Sequence, residues 1–149
     1  MSDLRLNAFA RVFADALFGR HPEWRGFAKT YGEREDCLVV TVQALVSAQD
    51  ASPLLIRADG EVTVSFDCFH CHFDWPTPLD EVDHNRNAIS FIDALLSETI
   101  GVVSWWRGDK LSVSTTFSPG VPDGIKAPPG ATRMRRRSWR GTLNADAPL

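Results

Sequence analysis

The sequence lacks the features that would place it at once in a membrane, secreted or disulfide-rich class. No apolar run among its 149 residues approaches the roughly 20 needed to span a bilayer. Its three cysteines, Cys37, Cys68 and Cys71, are an odd number without regular spacing, which favours reduced thiols over a disulfide framework. The first residues lack the basic start, continuous apolar stretch and cleavage site of a signal peptide. We therefore expect a cytoplasmic protein without a membrane segment.

Signatures of common enzymes are missing as well. The sequence contains no G-x-G-x-x-G loop, no G-x-x-x-x-G-K-[ST] motif, no H-E-x-x-H motif and no G-x-S-x-G motif. Cys68 and His70 are spaced so that they could form a Cys–His nucleophile, but no oxyanion-hole motif accompanies them. We therefore expect neither an enzyme nor a bound cofactor.

The composition is typical of a globular domain, but the charge is unevenly distributed. Hydrophobic residues make up 44% and charged residues 23% of the chain, values that allow a sizeable core. Residues 1–130 carry 11 basic and 18 acidic side chains, a net of −7, whereas residues 133–140 contain five arginines. An acidic body disfavours nucleic acid as the main ligand and suits a basic partner.

The apolar periodicity predicts an α+β fold, with two helices and an antiparallel sheet of five or six strands. Helices are predicted over residues 3–19 and 84–98, and strands over residues 37–45, 54–58, 61–69, 100–107 and 110–117. Asp83 is the expected N-cap of the second helix. The order is α-β-β-β-α-β-β with room for one further strand, which favours both helices on one face of the sheet. We expect a single domain over residues 1–132 and an Arg-rich edge strand or tail over residues 133–149.

The segment Cys68-Phe69-His70-Cys71-His72, followed by Asp74, is the first candidate site. In a continuous strand Cys68, His70, His72 and Asp74 would share one face, and thiolates and imidazoles are zinc ligands. The spacing matches no usual zinc module because no second pair of ligands follows. The apolar alternation slips near Asp67, which predicts a β-bulge there and leaves these side chains on the more polar face. A zinc site and a polar contact surface both remain open.

Two further groups are candidates for partner contact. Consecutive tryptophans on a strand face opposite ways, so one of Trp105 and Trp106 can fill the core while the other is displayed. An acidic group, Asp74, Asp80, Glu81 and Asp83, surrounds the start of the second helix, where it is either a solvated helix terminus or a surface for a basic partner. The arginines of residues 133–140, with Trp139, would either bind phosphate or fold back on the acidic body.

The central part of the chain resembles the small immunity proteins of bacterial polymorphic-toxin systems. The resemblance covers about residues 60–115 and is carried by three segments: GEVTVSFDCFHCHFDW (60–75), NAISFIDALLSE (87–98) and IGVVSWWRGDKLSVST (100–115). Such proteins often show an aromatic-His-x-His-aromatic stretch, here Phe69 to Phe73. A helix and a strand with Ser-Trp-Trp follow, here Ser104 to Trp106.

The resemblance implies a non-enzymatic cytoplasmic inhibitor that occludes the active site of a cognate toxin domain. That partner is expected to be basic. The predicted contact surface consists of His70, His72, Asp74, Trp75, Asp80, Glu81, Asp83 and Trp106. Two alternatives remain: a zinc-binding module or metal-dependent enzyme centred on Cys68, His70 and His72, and a regulatory domain that contacts nucleic acid through its Arg-rich segment.

Overall fold

A computed structural model describes residues 3–44, 52–73, 81–121 and 126–149, with residues 81 and 82 described through their backbone only. Helix α1 spans Ala8–Arg20, a short 3-10 helix spans Pro22–Phe27, and helix α2 spans Glu81–Leu96. The strands are β1 (Ala28–Tyr31), β2 (Cys37–Val42), β3 (Leu54–Ala58), β4 (Val62–Phe66), β5 (Phe69–His72), β6 (Gly101–Arg107), β7 (Lys110–Phe117), β8 (Arg133–Arg137) and β9 (Ala145–Pro148). No helix within these ranges is long and apolar enough to span a membrane.

The strands form two antiparallel sheets. The first has the order β1-β2-β3-β4-β5 and the second the order β7-β6-β8-β9. The predicted α+β class and its helix-first order are confirmed, while the strands are divided between two sheets of five and four strands. The chain forms two compact units. Unit 1 comprises Met1–Gln43, Pro53–Ser65 and His70–Ile92, and unit 2 comprises Ala44–Ser52, Phe66–Phe69 and Asp93–Leu149.

Helix α1 of unit 1 starts later than its apolar pattern predicted. The Asn7 side chain accepts a hydrogen bond of 2.8 Å from the backbone N–H of Ala10, so the helix begins at Ala8 and not near Asp3. Its buried face consists of Ala10, Phe13, Ala14, Leu17 and Phe18. Burial of each large side chain on this face, Phe13, Leu17 and Phe18, stabilises the fold by about 1.5–3 kcal/mol, so the helix is held mainly by this face.

Strand β2 lies in the interior of the first sheet and follows the predicted alternation. Leu38, Val40 and Val42 are buried, and the residues between them are half-buried. On one side it pairs with β3, with Val40 opposite Ile56. On the other side it pairs with β1, a strand that was not predicted.

The chain reverses direction at Asp67 and Cys68, where the sequence predicted a bulge within a continuous strand. Asp67 has a φ of 54°, a left-handed conformation that aspartate tolerates better than most residues. The backbone N–H of Phe73 donates to the carbonyl of Val62 at 2.9 Å and so pairs the two arms of the hairpin. The bulge prediction is therefore wrong: β5 begins at Phe69, and Cys68 belongs to the turn.

Helix α2 begins three residues earlier than predicted. It begins at Glu81, so Asp83 lies inside its first turn and is not the N-cap. The predicted apolar face is confirmed in part: Ala88, Ile92 and Leu95 are buried, while Ile89 and Leu96 are half-buried.

The Arg-rich segment of unit 2 is neither an edge strand nor a loose tail. Strand β8 lies between β6 and β9 and pairs with both. One side of this sheet carries a small core of Val103, Trp105 and Phe117, with Ala131, Met134 and Leu143 packed against it. Trp139, just after β8, is buried against Phe66, with ring centroids 6.1 Å apart in an edge-to-face arrangement. The arginines therefore belong to the folded body of unit 2.

Candidate recognition sites

His70 and His72 lie together on the edge strand of the five-stranded sheet. Residues two apart on a strand share a face, and both side chains are exposed. Their rings are nearly perpendicular, at 86°, with centroids 5.0 Å apart. The predicted display of these two histidines on one polar face is present in the structure.

Neighbouring side chains fix the orientation of His72. Its Nδ1 lies 2.9 Å from Glu61 Oε1 and 3.1 Å from Thr63 Oγ1. The His72 side chain nevertheless remains 44% exposed. A displayed ring that is already oriented loses less conformational entropy when a partner binds, which suits a contact residue.

The acidic group before helix α2 is described only at Asp83. Its carboxylate lies 3.5 Å from Arg86, one turn further along the helix. An exposed pair of this kind contributes little to stability, although a negative charge is favourable in the first turn of a helix. Asp74, Trp75 and Asp80 lie outside the described residues, as does the side chain of Glu81.

Strand β6 of unit 2 separates the two tryptophans, as the sequence predicted. Trp105 is 2% exposed and belongs to the core. Trp106 faces the other side of the sheet and is half-buried, with its Nε1–H donating to Ser104 Oγ at 2.8 Å. The displayed tryptophan is therefore Trp106, the one included in the predicted contact surface.

Two guanidinium groups lie near the ring of Trp106. The Cζ of Arg133 is 5.1 Å from the ring centroid and the Cζ of Arg135 is 5.7 Å from it. Both distances are in the range of cation–π interactions. The β6–β8 register explains the arrangement, because Trp106 lies directly opposite Arg133 and Ser104 lies opposite Arg135.

Arg133, Arg135 and Arg137 alternate along β8 and so share one face of the sheet. Arg137 forms two hydrogen bonds with the carboxylate of Asp146, at 2.8 and 3.2 Å. Arg135 forms an ion pair with Asp67. Arg133 contacts the ring of Trp106, and its positive charge contributes to the lowered pKa of Asp146.

The carboxyl group of Asp67 is ionised although it is buried. Burial raises its pKa, but the Cys68 thiol at 3.2 Å, the charge of Arg135 and the Ser52 hydroxyl at 3.0 Å outweigh that effect and leave the pKa below its usual value. The turn at Asp67 and Cys68 is thereby tied to strand β8 by a charged pair.

The protonation of the three cysteines opposes an activated thiol nucleophile. Cys37, Cys68 and Cys71 are free thiols, and burial is the main cause that raises the pKa of each. A thiol with a raised pKa carries little thiolate at neutral pH. In the described ranges, no three or more His, Cys, Asp or Glu side chains are grouped so that they could hold a metal ion.

Three site residues were missed from the sequence: Glu61 and Thr63, which orient His72, and Asp67, which pairs with Arg135. Glu61 and Thr63 could have been found from the Asp59-Gly60 turn signal together with a second turn at Asp67, because the two turns set the hairpin register. No sequence signal links Asp67 to Arg135, since 68 positions separate them.

Comparison with protein-family models, with curated proteins and with solved structures gives no match. The resemblance of residues 60–115 to immunity proteins therefore remains a prediction from the sequence.

Proposed function

We propose that this chain is a non-enzymatic binding protein, and specifically an immunity protein that neutralises a cognate bacterial toxin by occluding its active site. The observation that carries the proposal is the exposed pair His70 and His72 on an edge strand, in which the hydrogen-bonding partners of His72 orient its ring. The pair suits contact with a partner, because the Nδ1 atom of His72 lies within hydrogen-bonding distance of Glu61 and Thr63 while the ring stays exposed. The resemblance to immunity proteins includes this same pair.

The chemistry of the described side chains supports binding over catalysis. A Cys–His nucleophile needs a thiolate and a base within hydrogen-bonding reach. The raised pKa values of the three thiols oppose the first requirement. A metal-dependent enzyme needs a cluster of ligands, and the described residues offer no group of three.

The charge of the chain supports a basic partner. Residues 1–130 have a net charge of −7, and complementary charge accelerates association and selects among partners. A toxin domain that acts on nucleic acid would itself be basic, because it must bind phosphate.

Co-purification with the product of the adjacent upstream open reading frame tests this proposal. We expect that gene to encode a large secreted toxin and its C-terminal domain to be retained on the immobilised chain. Asp83→Lys should weaken the complex, while Glu33→Lys, an equal charge change on an exposed turn of unit 1, should leave it intact. An unrelated neighbour, or a toxin domain that is not retained, would refute the proposal.

The histidine pair itself can be tested in the same complex. His70→Ala with His72→Ala should lower affinity by about tenfold or more, as expected when central contacts are truncated. The exposed Lys29, on the opposite edge strand of the same sheet, supplies the control variant Lys29→Ala. Equal affinities for the two variants, measured by titration calorimetry, would show that the histidines do not belong to the contact surface.

A further inference from the structure

Helices α1 and α2 of unit 1 both line a surface cavity of about 420 Å³. This volume lies within the range of about 300–1,000 Å³ that small-molecule sites occupy. Residues four apart in a helix lie on the same face, and the cavity is bordered by one such pair from α1 and two such pairs from α2. The six lining residues are Val12, Ala16, Asn85, Arg86, Ile89 and Ser90.

Apolar side chains from both helices form the walls of this cavity. Val12 is 46% exposed, Ala16 is exposed as well, and Ile89 is half-buried. Water-exposed apolar surface of this kind gains free energy when an apolar molecule covers it. Exposed apolar residues are common on protein surfaces, so the argument for a ligand depends on the polar residue among them.

That residue is Asn85, the one buried polar side chain among the six. It is 4% exposed, and no described residue donates a hydrogen bond to its buried Oδ1 atom. Most buried polar atoms in folded proteins have a partner, because a buried acceptor without a donor costs free energy. The terminal torsion of asparagine has a broad energy well, so the amide can turn its oxygen toward a donor in the cavity.

We propose that this cavity binds a small neutral molecule with an apolar body and one hydrogen-bond donor, such as a phenol. The hydroxyl of the ligand donates to Asn85 Oδ1, and its ring packs on Val12, Ala16 and Ile89. Ligand sites of this composition, mainly apolar with a few placed polar groups, are the common kind. The inference goes beyond the proposed function and does not depend on a toxin.

Water and anions match this lining less well. A buried water molecule needs about two to four polar partners, and Asn85 is the one buried polar group that the lining offers. Arg86 is 71% exposed and lies 3.5 Å from Asp83, so an acid beside it would gain little from the charge. A neutral donor on an apolar body therefore fits the cavity best.

An NMR titration of the full chain tests this inference without the toxin. The probe is para-cresol, and its matched control is para-fluorotoluene, which has nearly the same shape but no donor. The readout is the methyl signal of Ile89, assigned with Ile89→Val. We expect a saturable shift with para-cresol at millimolar concentrations. The control should bind about tenfold more weakly, as expected for the loss of one hydrogen bond.

Two asparagine variants of helix α2 identify the group that receives the donor. Asn85→Leu removes the acceptor and should abolish the preference for para-cresol. Asn87→Leu makes the same change at an exposed position of the same helix and should preserve the preference. A preference that persists in Asn85→Leu would overturn the inference.

Ala16→Phe tests the cavity from helix α1, and it also serves if Asn85→Leu does not fold. Position 16 is exposed, and the added ring should fill the cavity and abolish binding of both probes. Equal binding of the two probes, no saturable shift, or binding that Ala16→Phe leaves intact would overturn the inference. Tighter binding of para-toluate would assign the cavity to an acid, and tighter binding of acetyl-Gly-Tyr-Gly-amide would assign it to a partner's side chain; either result would also overturn it.

Discussion

Arg135 and Asp67 form an ion pair in which the carboxylate side chain is only 3% exposed. The pair joins strand β8 to the turn between β4 and β5, 68 positions earlier in the sequence. The hydroxyl of Ser52 and the thiol of Cys68 complete the surroundings of the carboxylate. Such a group stabilises a fold only while its partners are present, because removal of one partner leaves a buried charge uncompensated.

Asp67→Asn should therefore destabilise the protein by about 3 kcal/mol, because it leaves Arg135 without its counter-charge. Asparagine tolerates the left-handed backbone conformation of residue 67, so the substitution changes the charge and little else. Urea unfolding at neutral pH measures the difference. Asp109→Asn, at an exposed position, is the control and should unfold at the wild-type midpoint. Equal midpoints for both variants would show that the pair contributes nothing.

The contribution of Asp67 should also depend on pH in one direction. Its folded pKa is lowered, so its stabilisation is complete above the unfolded pKa of about 3.9 and is lost as the pH falls through the folded value. The stability difference between wild type and Asp67→Asn should be constant near neutral pH and shrink below about pH 4. A difference that stays constant from pH 6 to pH 3 would contradict this assignment.

Trp139→Ala tests whether the C-terminal segment belongs to the core. The side chain is 5% exposed and contacts Phe66 edge to face. We expect a loss of about 3–5 kcal/mol in the free energy of unfolding, as for other buried aromatic residues. The adjacent Arg140 is exposed, and Arg140→Ala should leave the thermal midpoint unchanged. Similar midpoints for the two variants would mean that the segment does not support the fold.

Alanine substitutions at Gly101 and Gly19 should change the stability of the protein in opposite directions. A Cβ atom at Gly101 would lie 2.7 Å from the Phe117 ring and 2.9 Å from the carbonyl oxygen of Arg137, so Gly101→Ala should cost about 1–3 kcal/mol. Gly19 lies in helix α1 with nothing within 4 Å of that position. Gly19→Ala should stabilise the protein by about 0.5 kcal/mol. Thermal unfolding of both variants measures the contrast, which two shifts of the same sign would disprove.

The three thiols should react slowly with iodoacetamide at neutral pH. Burial raises the pKa of Cys37, Cys68 and Cys71, so the thiolate fraction of each is small. Mass spectrometry over a pH series should place the midpoint of each alkylation rate above the ordinary thiol value of about pH 8.5. Rapid alkylation of Cys68 at pH 7 would instead indicate an activated thiol and support the hypothesis of a Cys68–His70 nucleophile.

Local periodicity predicts those elements whose apolar residues recur on one face. Strand β2 and the buried residues Ala88, Ile92 and Leu95 of α2 follow it. Strand β1, Ala28–Tyr31, has no such pattern and exists because it pairs with β2. The division of the strands between two sheets depends in the same way on pairing between distant segments.

The candidate sites were predictable only where the alternation within a single strand determines which way a side chain faces. The opposite facing of Trp105 and Trp106 follows from the two-residue period of a strand, and the structure confirms it. The interior position of β8 and the partner of each arginine depend on contacts across the fold, so the run of arginines could equally predict a tail. At Cys68 a bulge and a tight turn both break the alternation, and the sequence could not distinguish them.

A titration of the cognate toxin with the purified chain tests the proposed function most directly. The toxin's activity on its own substrate is followed as the chain is added, and the chain with substrate but without toxin is the control for activity of the chain. We expect activity to fall to background at about one molar equivalent, as for a tight complex that blocks a single site. Toxin activity that persists in the presence of excess chain, or turnover of the substrate by the chain itself, would contradict an inhibitory binding protein.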